Sequence, residues 1–127
     1  MEEKLKKLII NAYAPYSNYK VGAILKTKDD KEFIGVNVEN ASYGATICAE
    51  RNAINEAIAN GYKKDDFAAL YIMANSNKIA MPCMLCRQTF TELLDEQLVV
   101  TLYNNEGESK QVLVKELCPF PFSEENL

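Results

Sequence analysis

The chain contains no histidine, and only two of its 14 basic side chains are arginine, Arg51 and Arg87. Without imidazole, any transition-metal site must be built from thiolates, carboxylates or water. An excess of positive charge is also missing. Lys+Arg is 14 against 18 for Asp+Glu, a net charge of -4. That balance argues against affinity gained by neutralising phosphates, so no nucleic-acid partner is expected. No apolar run approaches the roughly 18 residues of a membrane span, so no membrane partner is expected. The N-terminal Met1-Glu-Glu-Lys-Leu-Lys-Lys-Leu8 lacks a signal peptide's apolar core and cleavage site. A cytoplasmic location is the expectation. Internal repeats, low-complexity tracts and linkers are absent too.

What is present reads as a soluble globular chain, 48% hydrophobic and 25% charged over 127 residues. A single domain spanning 1–127 is expected. Hydrophobic periodicity divides it into elements. Leu5, Leu8, Ile9 and Ala12 recur at helical spacing, predicting an amphipathic helix from Glu2 to about Tyr13. Alternation over Tyr19–Thr27 and Glu32–Val38, joined by Lys28-Asp-Asp-Lys31, predicts a hairpin. A helix from about Cys48 to Asn60 follows, with Gly61 as its stop. The apolar run Phe67–Ala74 predicts a strand buried on both faces. Pro82 opens a helix over Cys83–Leu94, and Leu98–Tyr103 and Ser109–Val114 predict two last strands. The short link between these two strands makes them antiparallel. Helices interleaved with strands imply a three-layer α/β/α sandwich around a mixed five-stranded sheet.

The four cysteines are Cys48, Cys83, Cys86 and Cys118. In a reducing compartment a disulfide framework is disfavoured. Pro82-Cys-Met-Leu-Cys86 alone reads as a redox dithiol, as half of a zinc site, or as chance. The redox reading leaves Cys48 and Glu50 without a role. Three thiolates, Cys48, Cys83 and Cys86, leave a fourth position open to water, a catalytic geometry, whereas Cys118 as fourth ligand would close the site. Glu50 shares a helical face with Ile54, Ala57 and Ile58, which puts it in a buried stripe; taken alone, it equally suits the solvent edge of a helix start. Cys86, Phe90, Leu93 and Leu94 share a face of the next helix. Two helix starts can therefore converge on one buried point. Three thiolates around a divalent ion leave a formal -1, which guanidinium donors at Arg51 and Arg87 would offset.

The collinear segments Tyr16-Ser-Asn-Tyr-Lys-Val-Gly-Ala23, Asn37-Val-Glu-Asn-Ala-Ser-Tyr43, Cys48-Ala-Glu-Arg51, Pro82-Cys-Met-Leu-Cys-Arg-Gln88 and Glu116-Leu-Cys-Pro-Phe-Pro-Phe122 span nearly the whole chain. With them the sequence resembles the small homotetrameric cytidine deaminases of pyrimidine salvage. The resemblance implies a cytidine-deaminase-like fold and one Zn2+ per chain on Cys48, Cys83 and Cys86. It implies hydrolytic deamination of cytidine and 2′-deoxycytidine, with Glu50 moving protons between the attacking water, the pyrimidine N3 and the departing amine. Asn37, Val38 and Glu39 match the segment that binds the nucleoside, with Asn37 and Glu39 on the ribose hydroxyls. Tyr19 stands where phenylalanine usually stacks near the base, and Ala49 would offer backbone contacts to the ring. Tyr43 and Phe122 match residues that neighbouring subunits lend to the pocket of a homotetramer. Met84-Leu85, Cys118 and Phe120-Pro121 depart from the family pattern, and Cys118 reads as an apolar free thiol.

Overall fold

The computed structural model describes residues 1–127. The elements run α1 (Glu2–Leu8), β1 (Val21–Thr27), β2 (Glu32–Val36), α2 (Ala49–Ala59), β3 (Phe67–Ala74), α3 (Met84–Leu93), β4 (Val99–Tyr103), β5 (Ser109–Leu113) and α4 (Val114–Leu117). The five strands form one sheet in the order β2-β1-β3-β4-β5. Only β3 and β4 are parallel, joined through α3; the β1–β2, β1–β3 and β4–β5 pairs are antiparallel. The mixed sheet expected from the sequence is therefore present.

Side-chain alternation divides the core between the two faces. Ala23, Leu25, Leu70, Ile72, Val100 and Leu102 pack with α2 and α3, where Ala53, Ile54, Ala57 and Phe90 are fully buried. On the other face Leu5 of α1 packs with Ile24 and Met73. The layers are α/β/α, but the α1 layer is small. That corrects the expectation that β3 is buried on both faces. Ala68 is exposed and Ala69 and Tyr71 are half-buried, because one short helix covers only part of that side.

Boundaries moved where side chains or isolated bridges took over from regular ladders. The periodic segment at the N-terminus leaves α-helical form after Leu8, tightens to a 3-10 turn over Ile9–Asn11, and leaves Tyr13 exposed. Tyr13 instead bridges to Val38, which also bridges Ile47. β1 begins at Val21 rather than Tyr19, since the Tyr19 and Lys20 amides donate to Ser17 Oγ and Asn75 Oδ1. Ile58, expected in the buried stripe of α2, is 39% exposed; Ala49, Glu50, Ala53, Ile54 and Ala57 form the stripe. Pro82 precedes α3 rather than entering its first turn, because Cys83 is the N-cap.

The close seating of α2 depends on one glycine. A Cβ added at Gly35 of β2 would lie 2.2 Å from the Ala49 carbonyl oxygen and 2.6 Å from the Ala53 nitrogen. Asn52 pins the same contact, its Nδ2 donating to the Val36 carbonyl at 2.8 Å. At the far end Gly61 takes φ +92°, the left-handed geometry that closes the helix.

Candidate active site

Cys48 is the N-cap of α2 and Cys83 the N-cap of α3, while Cys86 lies buried in the first turn of α3. The three Sγ atoms all lie within 4.8 Å of one another, and Cys48 and Cys83 are 3.7 Å apart. A tetrahedral ion with metal–sulfur bonds of about 2.3 Å has sulfur–sulfur edges of about 3.8 Å. Geometry and donor chemistry both fit a thiophilic divalent ion such as zinc, with three ligands and an open fourth position. Helix N-termini favour the anionic thiolates. A hydrogen bond from Cys86, followed by one from Arg51, pulls the Cys48 thiol down to about 5. Cys86 is pushed up, first by that same bond to Cys48 and then by burial.

The two arginines do different work. Arg51 Nη2 donates to Cys48 Sγ at 3.7 Å, and its buried Nε has no partner. A guanidinium left partly unpaired beside three sulfurs suits a site that carries net negative charge. Arg87 makes no hydrogen bond to sulfur. Its Nε donates to the Pro82 carbonyl at 2.8 Å and its Nη1 to the Leu117 carbonyl at 3.2 Å. It braces the approach to Cys83 against α4, a correction to the expectation of sulfur contacts from both. Cys118 lies outside the three-thiol group, half-buried in a separate depression beside Lys115 and Pro121.

Glu50 follows Cys48 by two residues and is 4% exposed. Burial raises its pKa above the ordinary carboxylate range, and the Cys48 charge adds to the rise. It lines a cavity of about 210 Å³ together with Cys48, Cys83, Ala49, Tyr19 and Asn37. Burial, then the Glu50 charge, raises the Tyr19 hydroxyl pKa. Ala49 opens α2, so its N–H has no intrahelical partner. Thr46, Ala80 and Met81 complete much of the wall and carried no sequence signal.

Glu39 sits in a neighbouring depression of about 260 Å³ with Tyr16, Ser17, Asn40, Tyr43 and Thr46. Thr46 lines both, so the two depressions adjoin. Glu39 accepts from the Tyr16 amide at 2.9 Å, the Ser17 amide at 3.2 Å and the Ser17 hydroxyl. Those donors, the hydroxyl first, hold its pKa below the usual value. Asn37 is largely occupied by the backbone. Its Oδ1 accepts from the Val21 amide at 2.8 Å and its Nδ2 donates to the Tyr19 carbonyl at 2.7 Å. One N–H and one lone pair of the amide remain for a ligand. Val38 exchanges backbone hydrogen bonds with Ile47, so it fixes the stretch between Asn37 and Glu39. Tyr43, 79% exposed, lines the Glu39 depression of its own chain. Phe122, 57% exposed, lies in neither depression, and its carbonyl accepts from Gln88.

The chain is similar to known proteins in sequence and fold. The family model for the cytidine and deoxycytidylate deaminase zinc-binding region matches residues 1–102. A cytidine deaminase of Halalkalibacterium halodurans is 40% identical over 116 residues, covering 91% of this chain and 86% of its own length. One from Sporosarcina psychrophila is 38% identical, covering 96% and 88%. The crystal structure of cytidine deaminase from Burkholderia pseudomallei superposes with a TM-score of 0.90 at 45% identity, covering 94% of each chain. That of Mycobacterium tuberculosis gives 0.79 at 28%, covering 97% and 94%. With the matched region carrying all three converging thiols and Glu50, the chain belongs to the zinc-binding cytidine and deoxycytidylate deaminase family.

Proposed function

We propose that this chain hydrolyses cytidine and 2′-deoxycytidine to uridine and 2′-deoxyuridine, releasing ammonia, as a step of pyrimidine salvage. The observation that carries the reading is a buried carboxylate, Glu50, in one cavity with three thiols spaced for a single zinc ion. Cys48, Cys83 and Cys86 would hold the zinc ion, which when bound would supply a Lewis acid to activate water at neutral pH. Glu50 takes the proton of the attacking water and delivers it to the pyrimidine N3. A C–O bond forms at C4; Glu50 then takes the proton of the new C4 hydroxyl and passes it to the amine, so that the C4–N bond breaks, ammonia leaves and C4 becomes a carbonyl. A raised pKa suits a carboxyl group that must both accept and donate. Tyr19 flanks the base, and the free N–H of Ala49 contacts the ring. Glu39 accepts from a ribose hydroxyl, with Asn37 holding the wall beside it.

The adjoining depression around Glu39 supports a substrate that carries a sugar. A net charge of -4 favours a free nucleoside over a polynucleotide. We read the 127 residues as one domain acting in a homotetramer, where Tyr43 and Phe122 complete neighbouring pockets; both are exposed in a single chain. Four free cysteines fit a reducing cytoplasm. No helix is long and apolar enough to cross a membrane.

Ammonia release from cytidine tests the reading directly. The purified protein should deaminate cytidine, lose activity to a chelator and regain it with Zn2+. Zinc-loaded protein inert toward cytidine and deoxycytidine but active on cytosine or adenosine would overturn the substrate assignment.

A further inference from the structure

We propose that Ser17 is a positioning residue for the sugar subsite, its hydroxyl holding the Glu39 carboxylate in the orientation that leaves one acceptor site open to a ribose hydroxyl. The inference rests on the reading of Glu39 as the acceptor for the sugar. An ionised carboxylate offers about four lone-pair positions. Three are taken by one short loop: the Tyr16 and Ser17 amides on Oε1 and the Ser17 hydroxyl on Oε2. The remaining position is on Oε2, in the depression shared with Tyr43 and Thr46. Glu39 is thus left with capacity for a single further donor.

The Ser17 hydroxyl is itself held. Its oxygen accepts from the Tyr19 amide at 3.0 Å, which occupies one lone pair and turns the proton toward Glu39. Tyr19 in turn is fixed on its carbonyl side, where Asn37 Nδ2 donates at 2.7 Å. The anchor of the serine is therefore the backbone of a residue in the wall of the Glu50 cavity. Without the hydroxyl, Oε2 has two open positions, and nothing within the chain selects which one the sugar meets. Ser17 is exposed, so water can replace its bonds without loss of the fold.

Steady-state kinetics on cytidine, with competition by 2′,3′-dideoxycytidine, tests this in the zinc-loaded enzyme. Ser17→Ala should raise the KM for cytidine about tenfold with kcat changed by less than about threefold. Its affinity for the dideoxy compound, which lacks the 2′ and 3′ hydroxyls that Glu39 would meet, should stay near wild type. Ser17→Thr, which keeps the hydroxyl, should recover most of the KM. In a Glu39→Ala background Ser17→Ala should add little, because its route of action is gone. Equal loss on both ligands, or additive effects in the double variant, would overturn the inference while leaving Glu39 intact as a sugar contact. Should Glu39→Ala itself weaken both ligands equally, the sugar reading fails and the role of Ser17 falls with it.

Discussion

Glu50 is the only Asp, Glu, Lys or Arg of this chain that is buried. Burying an unpaired carboxylate is costly, and a fold tolerates it where the group is neutral, paired or in use. Here it sits two residues after the thiol that Arg51 contacts, in the wall of a cavity. Glu50→Gln keeps the shape and removes the ability to carry a proton. We expect zinc content and melting temperature near wild type, with turnover down by about 10²–10⁴-fold. A loss below tenfold in kcat would show that another group moves the proton. Asn37 is the instructive contrast. The family resemblance implies a sugar contact, but its amide bridges Tyr19 and Val21. Its replacement by alanine should cost stability as well as affinity.

Among the elements, α2 carries most of the site, and its placement depends on β2. An alanine at position 35 would drive its methyl group to 2.2 Å from the Ala49 carbonyl oxygen, a backbone atom that no rotamer can move. The first turn of α2, with Cys48 and Glu50, must shift to relieve it. We expect Gly35→Ala to destabilise the protein by about 1–3 kcal/mol or more and to lower the zinc bound per chain. Gly44 is the control, since an added Cβ there meets nothing within 4 Å. Gly44→Ala should change stability by less than about 0.5 kcal/mol. Equal melting temperatures for the two variants would show that α2 seats without the close approach. Gly35 could be found in the sequence, because a glycine inside an alternating strand marks a close backbone contact.

At the scale of the molecule, the apolar surface is unevenly spread. Met84, Leu85, Phe120 and Phe122 are 66%, 65%, 96% and 57% exposed. Two of them lie in the first turn of α3 between zinc-binding cysteines, and two in the tail after α4. Large apolar residues exposed around a site mark surface that a partner covers. We propose a second copy as that partner, and sedimentation at working concentration should show a species of four chains. Activity per chain should fall on dilution to monomers; monomers with full activity would remove the shared-pocket model.

The order of helices and strands was legible in the residues, because period 3.6 and period 2 follow from backbone geometry alone. So was the chemistry of the site: absence of histidine leaves thiolates, and the spacing of Cys83 and Cys86 puts both at one helix start. Three features were decided only by tertiary contacts. β1 runs antiparallel to β3, since α2 returns the chain to the far side of β1 from β2, which no local pattern encodes. Arg87 reaches two carbonyls while Arg51 reaches sulfur, because the same side chain on different helices meets different backbone. Ser17 and Thr46 join the site only when loops far apart in sequence close on each other. Local sequence determines which groups are available and which face they occupy; long-range packing determines which atoms they touch.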